Sequence, residues 1–306
     1  MNSTYSKRRP FWTGERRNFA LGMLFLSPWL IGFLIWTVYP LLSSLYYSFT
    51  FYDLLRPPHW IGLSNYSEIL TNDPDMRTTV ANTLFYVGLG VPINLVAAFS
   101  MATLLNTKIF ARSAFRAVFF LPSIIPAVVI AMVWGFLLNT QYGAINATLT
   151  AFGLPVIPFL SKPDLAKPSI MLINMWGQGT TMVIFLATLQ DVPRTLYEAA
   201  TVDGANAFQK YFNITIPMCT PVILYNLVMG LIYSFQDFTM PWLLTGGGPD
   251  RATLFYSLYL YQNAFIFLRM GKASAMAWLM FVVIVALTIA LFRSSARWVY
   301  YGSSND

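Results

Sequence analysis

Residues able to do chemistry are few in this chain of 306 residues. It holds one cysteine, Cys219, and one histidine, His59. Metal sites built from Cys and His need several such ligands, so no metal is expected, and no catalytic residue is identified. A phosphate-binding G-x-x-x-x-G-K-[ST] loop is absent, since Gly271-Lys272 lacks both the upstream glycine and the following Ser or Thr. What remains is hydrogen-bonding capacity inside apolar segments. Asn174, Trp176, Gln178, Thr180 and Thr181 stand in one such segment, and Asn226, Tyr233, Ser234, Gln236 and Asp237 in or beside another. Gly230, Tyr233, Ser234 and Asp237 recur at three- and four-residue steps and so share a helix face, as do Gln178 and Thr181. Polar groups in such places mark a solute path or bonds between helices. Both readings are open, and Asp237 also fits a solvated helix end.

The elements that must position these groups are membrane spans. Hydrophobic residues make up 57% of the chain and charged residues 10%, well below the roughly 25% charged content of soluble domains. Six segments free of charge reach the ~20 residues needed to cross hydrocarbon: about 19–51, 79–107, 117–138, 168–190, 217–236 and 273–292. The third run is broken after Leu138 by Asn139, Gln141, Gly143, Pro155 and Pro158, which predicts an external loop with a short helix near 142–154. Cytoplasmic tails are expected at 1–18 and 293–306, and a loop between spans four and five at 191–216.

Orientation follows from Lys and Arg. With the N-terminus inside, Lys7, Arg8, Arg9, Arg16, Arg17, Lys108, Arg112, Arg116, Arg194, Lys210, Arg293 and Arg297 lie on the inner face, 12 of the 19 basic residues. The positive-inside rule supports that arrangement. The net charge of +7 therefore reports topology, and no nucleic-acid partner is expected. SKRRPFW loosely resembles a twin-arginine signal, but the apolar run after it is far longer than the roughly 7–15 residues of a signal peptide, which predicts an uncleaved anchor. Cys219 reads as a small apolar filler.

The loop at 191–216 is the most informative stretch. Thr195-Leu196-Tyr197-Glu198 has the capping-box form that starts a helix. Gly204 can take the left-handed conformation that ends one. A second helix fits 205–213, with Phe208, Tyr211 and Phe212 on one face, and Pro217 is expected to end it and open the fifth span. The result is a helix–turn–helix elbow. It either lies among lipid headgroups or offers a docking knob to a partner.

The spacing resembles the EAA loop of ABC-importer permeases: EAA, three residues, Gly, nine residues, then Ile-x-Leu-Pro. Here it reads Glu198-Ala199-Ala200, Gly204 and Ile214-Thr215-Ile216-Pro217, with Ile216 as the one departure. The similarity extends over about 16–293 and is strongest to permeases of the maltose and multiple-sugar type. It includes LSPWLIGFLIWTVYPLLSSLYYSFT, WIGLSNY, FRAVFFLPSIIPAVVIAMVWGFLLN and LLTGGGPDRAT. The resemblance implies an all-α, six-span type I importer permease with a cytoplasmic coupling elbow between spans four and five. The elbow residues would be Glu198, Ala199, Ala200, Asp203, Gly204, Phe208, Ile214 and Pro217. Glu198 would pair with a basic residue of an ATPase, or cap its own helix. Gln178, Thr181, Gly230, Tyr233, Ser234 and Asp237 would line a sugar path, or join helices. Gly246, Gly247, Gly248 and Pro249 would meet a solute-binding protein, or form an ordinary loop.

The implied partners are a second permease of different sequence, two ATPase subunits that hold ATP and Mg, an extracytoplasmic binding protein, a carbohydrate and the lipid bilayer. The implied location is the cytoplasmic membrane of a bacterium or archaeon, with both termini inside and no cofactor in this chain. A carrier for glycerol phosphate would use the same scaffold. A self-contained secondary transporter would show inverted repeats, and none is seen. A membrane enzyme would cluster acids or histidines at one depth, and the spans hold almost none.

Overall fold

The structure, a computed structural model, describes residues 14–107 and 109–300, with the side chains of Glu15 and Arg16 outside that set. Lys7, Arg8, Arg9 and Lys108, counted for topology, lie outside the described residues.

Helix α1 (Arg17–Ser48) leads through a hairpin of β1 (Thr50–Phe51) and β2 (His59–Trp60) to α2 (Met76–Asn106). Next come α3 (Arg112–Ile124) and α4 (Ala127–Leu137), then a short α5 (Ala144–Ala151). Helices α6 (Pro163–Trp176) and α7 (Gly179–Asp191) are followed by α8 (Arg194–Val202) and the long α9 (Ala207–Gln236). Two short helices, α10 (Thr239–Thr245) and α11 (Tyr256–Tyr261), precede α12 (Met270–Ser295). Among the described residues four helices, α1, α2, α9 and α12, are long and apolar enough to cross a membrane unbroken. Counting α3–α4 and α6–α7 as one crossing each gives the six spans of an all-α membrane protein.

The third and fourth crossings differ from simple rods. Helices α3 and α4 meet at 102° and α6 and α7 at 50°. Pro122 and Pro126 bracket the first bend and cannot donate backbone bonds across it. Gly177 and Gln178 form the second. Phe51, expected at the end of the first span, instead pairs with His59 in the hairpin.

Proline does not stop α1 or α9. A π-helical turn, Leu34–Val38, sits just before Pro40, and another, Tyr211–Thr215, just before Pro217. In each case the residue four before the proline, Trp36 or Asn213, lies inside the wide turn. The widened turn moves aside the carbonyl that the proline ring would strike. The expectation that Pro217 separates the elbow from the fifth span is therefore corrected, because the helix is continuous from Ala207 to Gln236.

Packing is tightest where small residues let helices approach, as expected without a hydrophobic drive between spans. Ala98 and Ala102 of α2 are fully buried in one cluster with Met182, Phe185, Leu186 and Leu189 of α7. A side chain at Gly179 would lie 2.7 Å from the Phe119 carbonyl oxygen, so α3 and α7 touch through backbone. Cys219 is buried in this cluster, as the filler reading expects.

At the end far from the elbow, polar bonds lock the hairpin and α12 together. The Asn65 amide donates to the Ser48 and Thr50 carbonyls, both at 2.9 Å. Lys272, 4% exposed, binds Asp73 at 2.7 Å and Glu68 at 2.9 Å, and Arg269 also reaches Glu68. Burial pushes both carboxyls up, but the hydrogen bonds from Lys272, with Arg269 on Glu68 and Tyr259 on Asp73, outweigh it and hold both below their ordinary values.

Candidate functional site

A cavity of about 610 Å³ opens between α2, α3, α4, α7 and α9. All six residues proposed from spacing, Gln178, Thr181, Gly230, Tyr233, Ser234 and Asp237, line it together. Helix periodicity sets the α9 face, and the bend at Gly177–Gln178 turns the start of α7 toward it. Tyr233 is 65% exposed and presents its ring to this space. A Cβ at Gly230 would come within 3.1 Å of Val91, so that glycine lets α2 and α9 close up beneath the cavity.

Asp237 is not a freely solvated helix end. Its carboxylate accepts the Tyr86 hydroxyl at 2.5 Å and the Asn174 amide at 3.2 Å, with the Met240 backbone N–H a third donor. The Asn174 amide also donates to the Tyr86 hydroxyl oxygen. Its carbonyl accepts Gln178 at 3.1 Å. Three crossings thus meet at one carboxylate. Tyr86 was missed in the sequence, and Asn174 was noted only as polar. A signal existed: Asn82, Tyr86, Gly90 and Asn94 recur every four residues on α2.

The elbow is a braced hairpin of two helices. Gly204 has φ +79°, and the Ala205 N–H donates to the Ala200 carbonyl at 2.9 Å, the bonding of a left-handed helix stop. Asn206 and Gln209 form a reciprocal capping box that starts α9. The box expected at Thr195–Glu198 is not formed. Pro193 is the N-cap, its ring fixing an extended approach, and no side chain caps α8. Among the described residues Glu198 is exposed and makes no hydrogen bond or ion pair.

The elbow's apolar face also differs from expectation. Phe208 and Phe212 point outward in ring contact at 4.7 Å, and Val202 at the end of α8 is 88% exposed. Tyr211 packs on the inner cluster near Phe99 while its ring also meets Phe212 edge-on at 5.3 Å, so it bridges the outer pair and the core. Ile214 likewise packs against the inner cluster. Glu198, Ala199, Asp203, Gly204 and Phe208 are exposed, Ala200 and Pro217 are half-buried, and Ile214 faces the protein's own core.

The Gly246–Pro249 turn lies at the far end. Gly246 (φ +60°) is exposed, whereas Gly247 (φ +97°) is buried against Leu254 and Leu258. Gly248 and Pro249 are half-buried. Thr253 donates to the Gly248 carbonyl at 2.7 Å, and Asn82 to the Arg251 carbonyl at 2.8 Å. Arg251 pairs with Asp75. At its tip Gly246, Asp250 and Arg251 are exposed. Among the described residues no group of three or more His, Cys, Asp or Glu is arranged to hold a metal.

Residues 78–300 match the family described as binding-protein-dependent transport system inner membrane component. The chain is 42% identical over 295 residues, 95% of each chain, to a probable ABC transporter permease protein, YesP, of Bacillus subtilis. It is 32% identical, over 94% of each, to the sulfoquinovosyl glycerol transport system permease protein SmoG of Agrobacterium fabrum. In structure it is similar to a chain of a bacterial ABC transporter involved in the import of the acidic polysaccharide alginate. The TM-score is 0.82 and identity 25%, over 94% of this chain and 99% of that one.

Proposed function

Since this chain belongs to the family of binding-protein-dependent transport system inner membrane components, we propose that it is the permease subunit of an ATP-driven importer of a carbohydrate. It contributes half of the path and does no covalent chemistry. A second permease, two ATPase subunits and an extracytoplasmic binding protein complete the machine. The elbow faces the cytoplasm, together with both termini, and the Gly246–Pro249 turn faces the binding protein.

The observation that carries this reading is one continuous lever. The elbow's exposed Val202, Phe208 and Phe212 form an apolar knob suited to a cleft on an ATPase, and Glu198 stands free to meet a basic residue there. Helix α9 runs unbroken from that knob to Ser234 and Tyr233 on the cavity wall. A push on the elbow therefore reaches the cavity through a rigid rod. Hydroxyls, amides and the Tyr233 ring supply the hydrogen bonds and flat surface that a sugar needs, and the relatives named for sulfoquinovosyl glycerol and alginate import make a carbohydrate the favoured solute.

The test is uptake by the reconstituted complex. ATP hydrolysis should rise with one sugar-loaded binding protein, and Glu198→Lys with Gly204→Pro should abolish that response while the complex still assembles. Uptake that persists without the ATPase subunits would instead establish a self-contained carrier.

A further inference from the structure

The cavity lining holds one acidic side chain. Of the described residues that line it, Asp237 alone is a carboxylic acid; the other polar groups are amides and hydroxyls. Among the described residues no Arg, Lys or His lines it. The nearest cation on the same crossing, Lys167, stands seven residues before Asn174, about 10 Å along the helix. It is engaged elsewhere, donating to Asn82 at 3.0 Å and lying over the Phe85 ring. The Asp237 carboxyl group is met by donors alone, Tyr86, Asn174 and the Met240 N–H.

We propose that Asp237 is the charge-selecting residue of this chain's half of the path. It opposes carboxylated, sulfonated or phosphorylated solutes and favours uncharged, hydroxyl-rich ones, whose O–H groups it can accept. Tyr86 and Asn174 are positioning residues that hold the carboxylate at the wall. The inference rests on the cavity being the solute path.

The experiment reads the cavity's potential without a sugar. In a Cys219→Ala background, Tyr233→Cys places a thiol on the cavity wall. In the assembled complex in membrane vesicles, its modification by the cationic trimethylammonium-ethyl methanethiosulfonate is compared with that by the anionic sulfonato-ethyl reagent. Relative to a free thiol, the cationic reagent should be favoured. Asp237→Asn should lower the ratio about tenfold, as expected for one charge at close range in a medium less polarisable than water. Asp237→Glu should largely keep it. A ratio unmoved by Asp237→Asn overturns the proposal. If that variant fails to assemble, a parent-complex ratio no greater than that of the free thiol overturns it equally. Uptake of neutral carbohydrate is measured in vesicles that hold the parent complex, with Tyr233 intact. A charge-dependent ratio without carbohydrate uptake sinks the sugar reading and leaves the charge assignment. Carbohydrate uptake with a ratio blind to Asp237 does the reverse.

Discussion

The Tyr197 hydroxyl on α8 and the Thr215 hydroxyl on α9 lie 2.9 Å apart and tie the two arms of the elbow across its base. A second tie runs from Lys210 to Thr201 at 2.8 Å nearer the tip. Two cross-braces and the capping box make the elbow a stiff body, which is what a lever between a partner and the cavity needs.

Each tie is worth about 0.5–1.5 kcal/mol, so Tyr197→Phe with Lys210→Met should leave the complex assembled. It should also loosen the lever. We expect the ratio of solute moved to ATP hydrolysed to fall by several-fold while basal hydrolysis stays near the parent value. Simultaneous measurement of uptake and phosphate release checks this, and an unchanged ratio means that the ties are ornamental to coupling.

Gly204 offers a sharper version. Its φ of +79° is one that a β-branched residue adopts only at a cost of about 1–2 kcal/mol or more. Gly204→Val should misalign the arms, with raised hydrogen exchange confined to 194–215 and loss of most stimulated hydrolysis. Exchange as slow as in the parent would mean that the turn has another stable form.

The far-side lock makes a pH prediction. Glu68 and Asp73 are depressed in the folded protein by Lys272 and its neighbours. Their contribution to stability is therefore full above the unfolded-chain values near 4, and it is lost as pH falls through the lower folded values. Lys272 is almost fully buried, and removing one partner of a buried pair costs about 3–5 kcal/mol. Lys272→Met should lower the thermal midpoint at pH 7 and flatten its fall below pH 4. Thermal unfolding of the purified complex across pH checks both, and equal acid sensitivity in the two proteins would refute the assignment.

The elbow and half of the cavity were legible in the sequence for a common reason: both rest on local periodicity or on a residue with one conformational use. Gly204 announces a left-handed stop wherever it follows a short helix. Gly230, Tyr233, Ser234 and Asp237 share a face by arithmetic. What was not legible depends on partners distant in sequence or on backbone relaxation. Tyr86 looks like any aromatic in an apolar span until Asp237, 151 residues away, meets its hydroxyl. Pro217 reads as a stop because the π turn that absorbs its ring has no sequence signature of its own. The 102° bend between α3 and α4 was hinted at by Pro122 and Pro126, but proline in a span is compatible with a mild kink, and only the contact at Gly179 fixes how far the chain turns.

That contact gives the last prediction. A methyl at Gly179 would sit 2.7 Å from the Phe119 carbonyl oxygen and 2.8 Å from the Phe120 Cα, both backbone atoms that cannot swing aside. Gly88, in the middle of α2, has nothing within 4 Å of the same position. Both are helical glycines, and alanine favours a helix by roughly 0.5–1 kcal/mol. Gly88→Ala should therefore be neutral or mildly stabilising. Gly179→Ala must push α3 away from α7, at a cost of about 1–3 kcal/mol typical of overpacking. Because α3 and α7 both wall the cavity, the same change should raise KM for uptake by several-fold, whereas Gly88→Ala leaves it alone. Thermal unfolding and uptake kinetics on the pair test this directly. If the two alanines behave alike, the close approach at Gly179 is not what sets the bend, and the prolines alone must account for it.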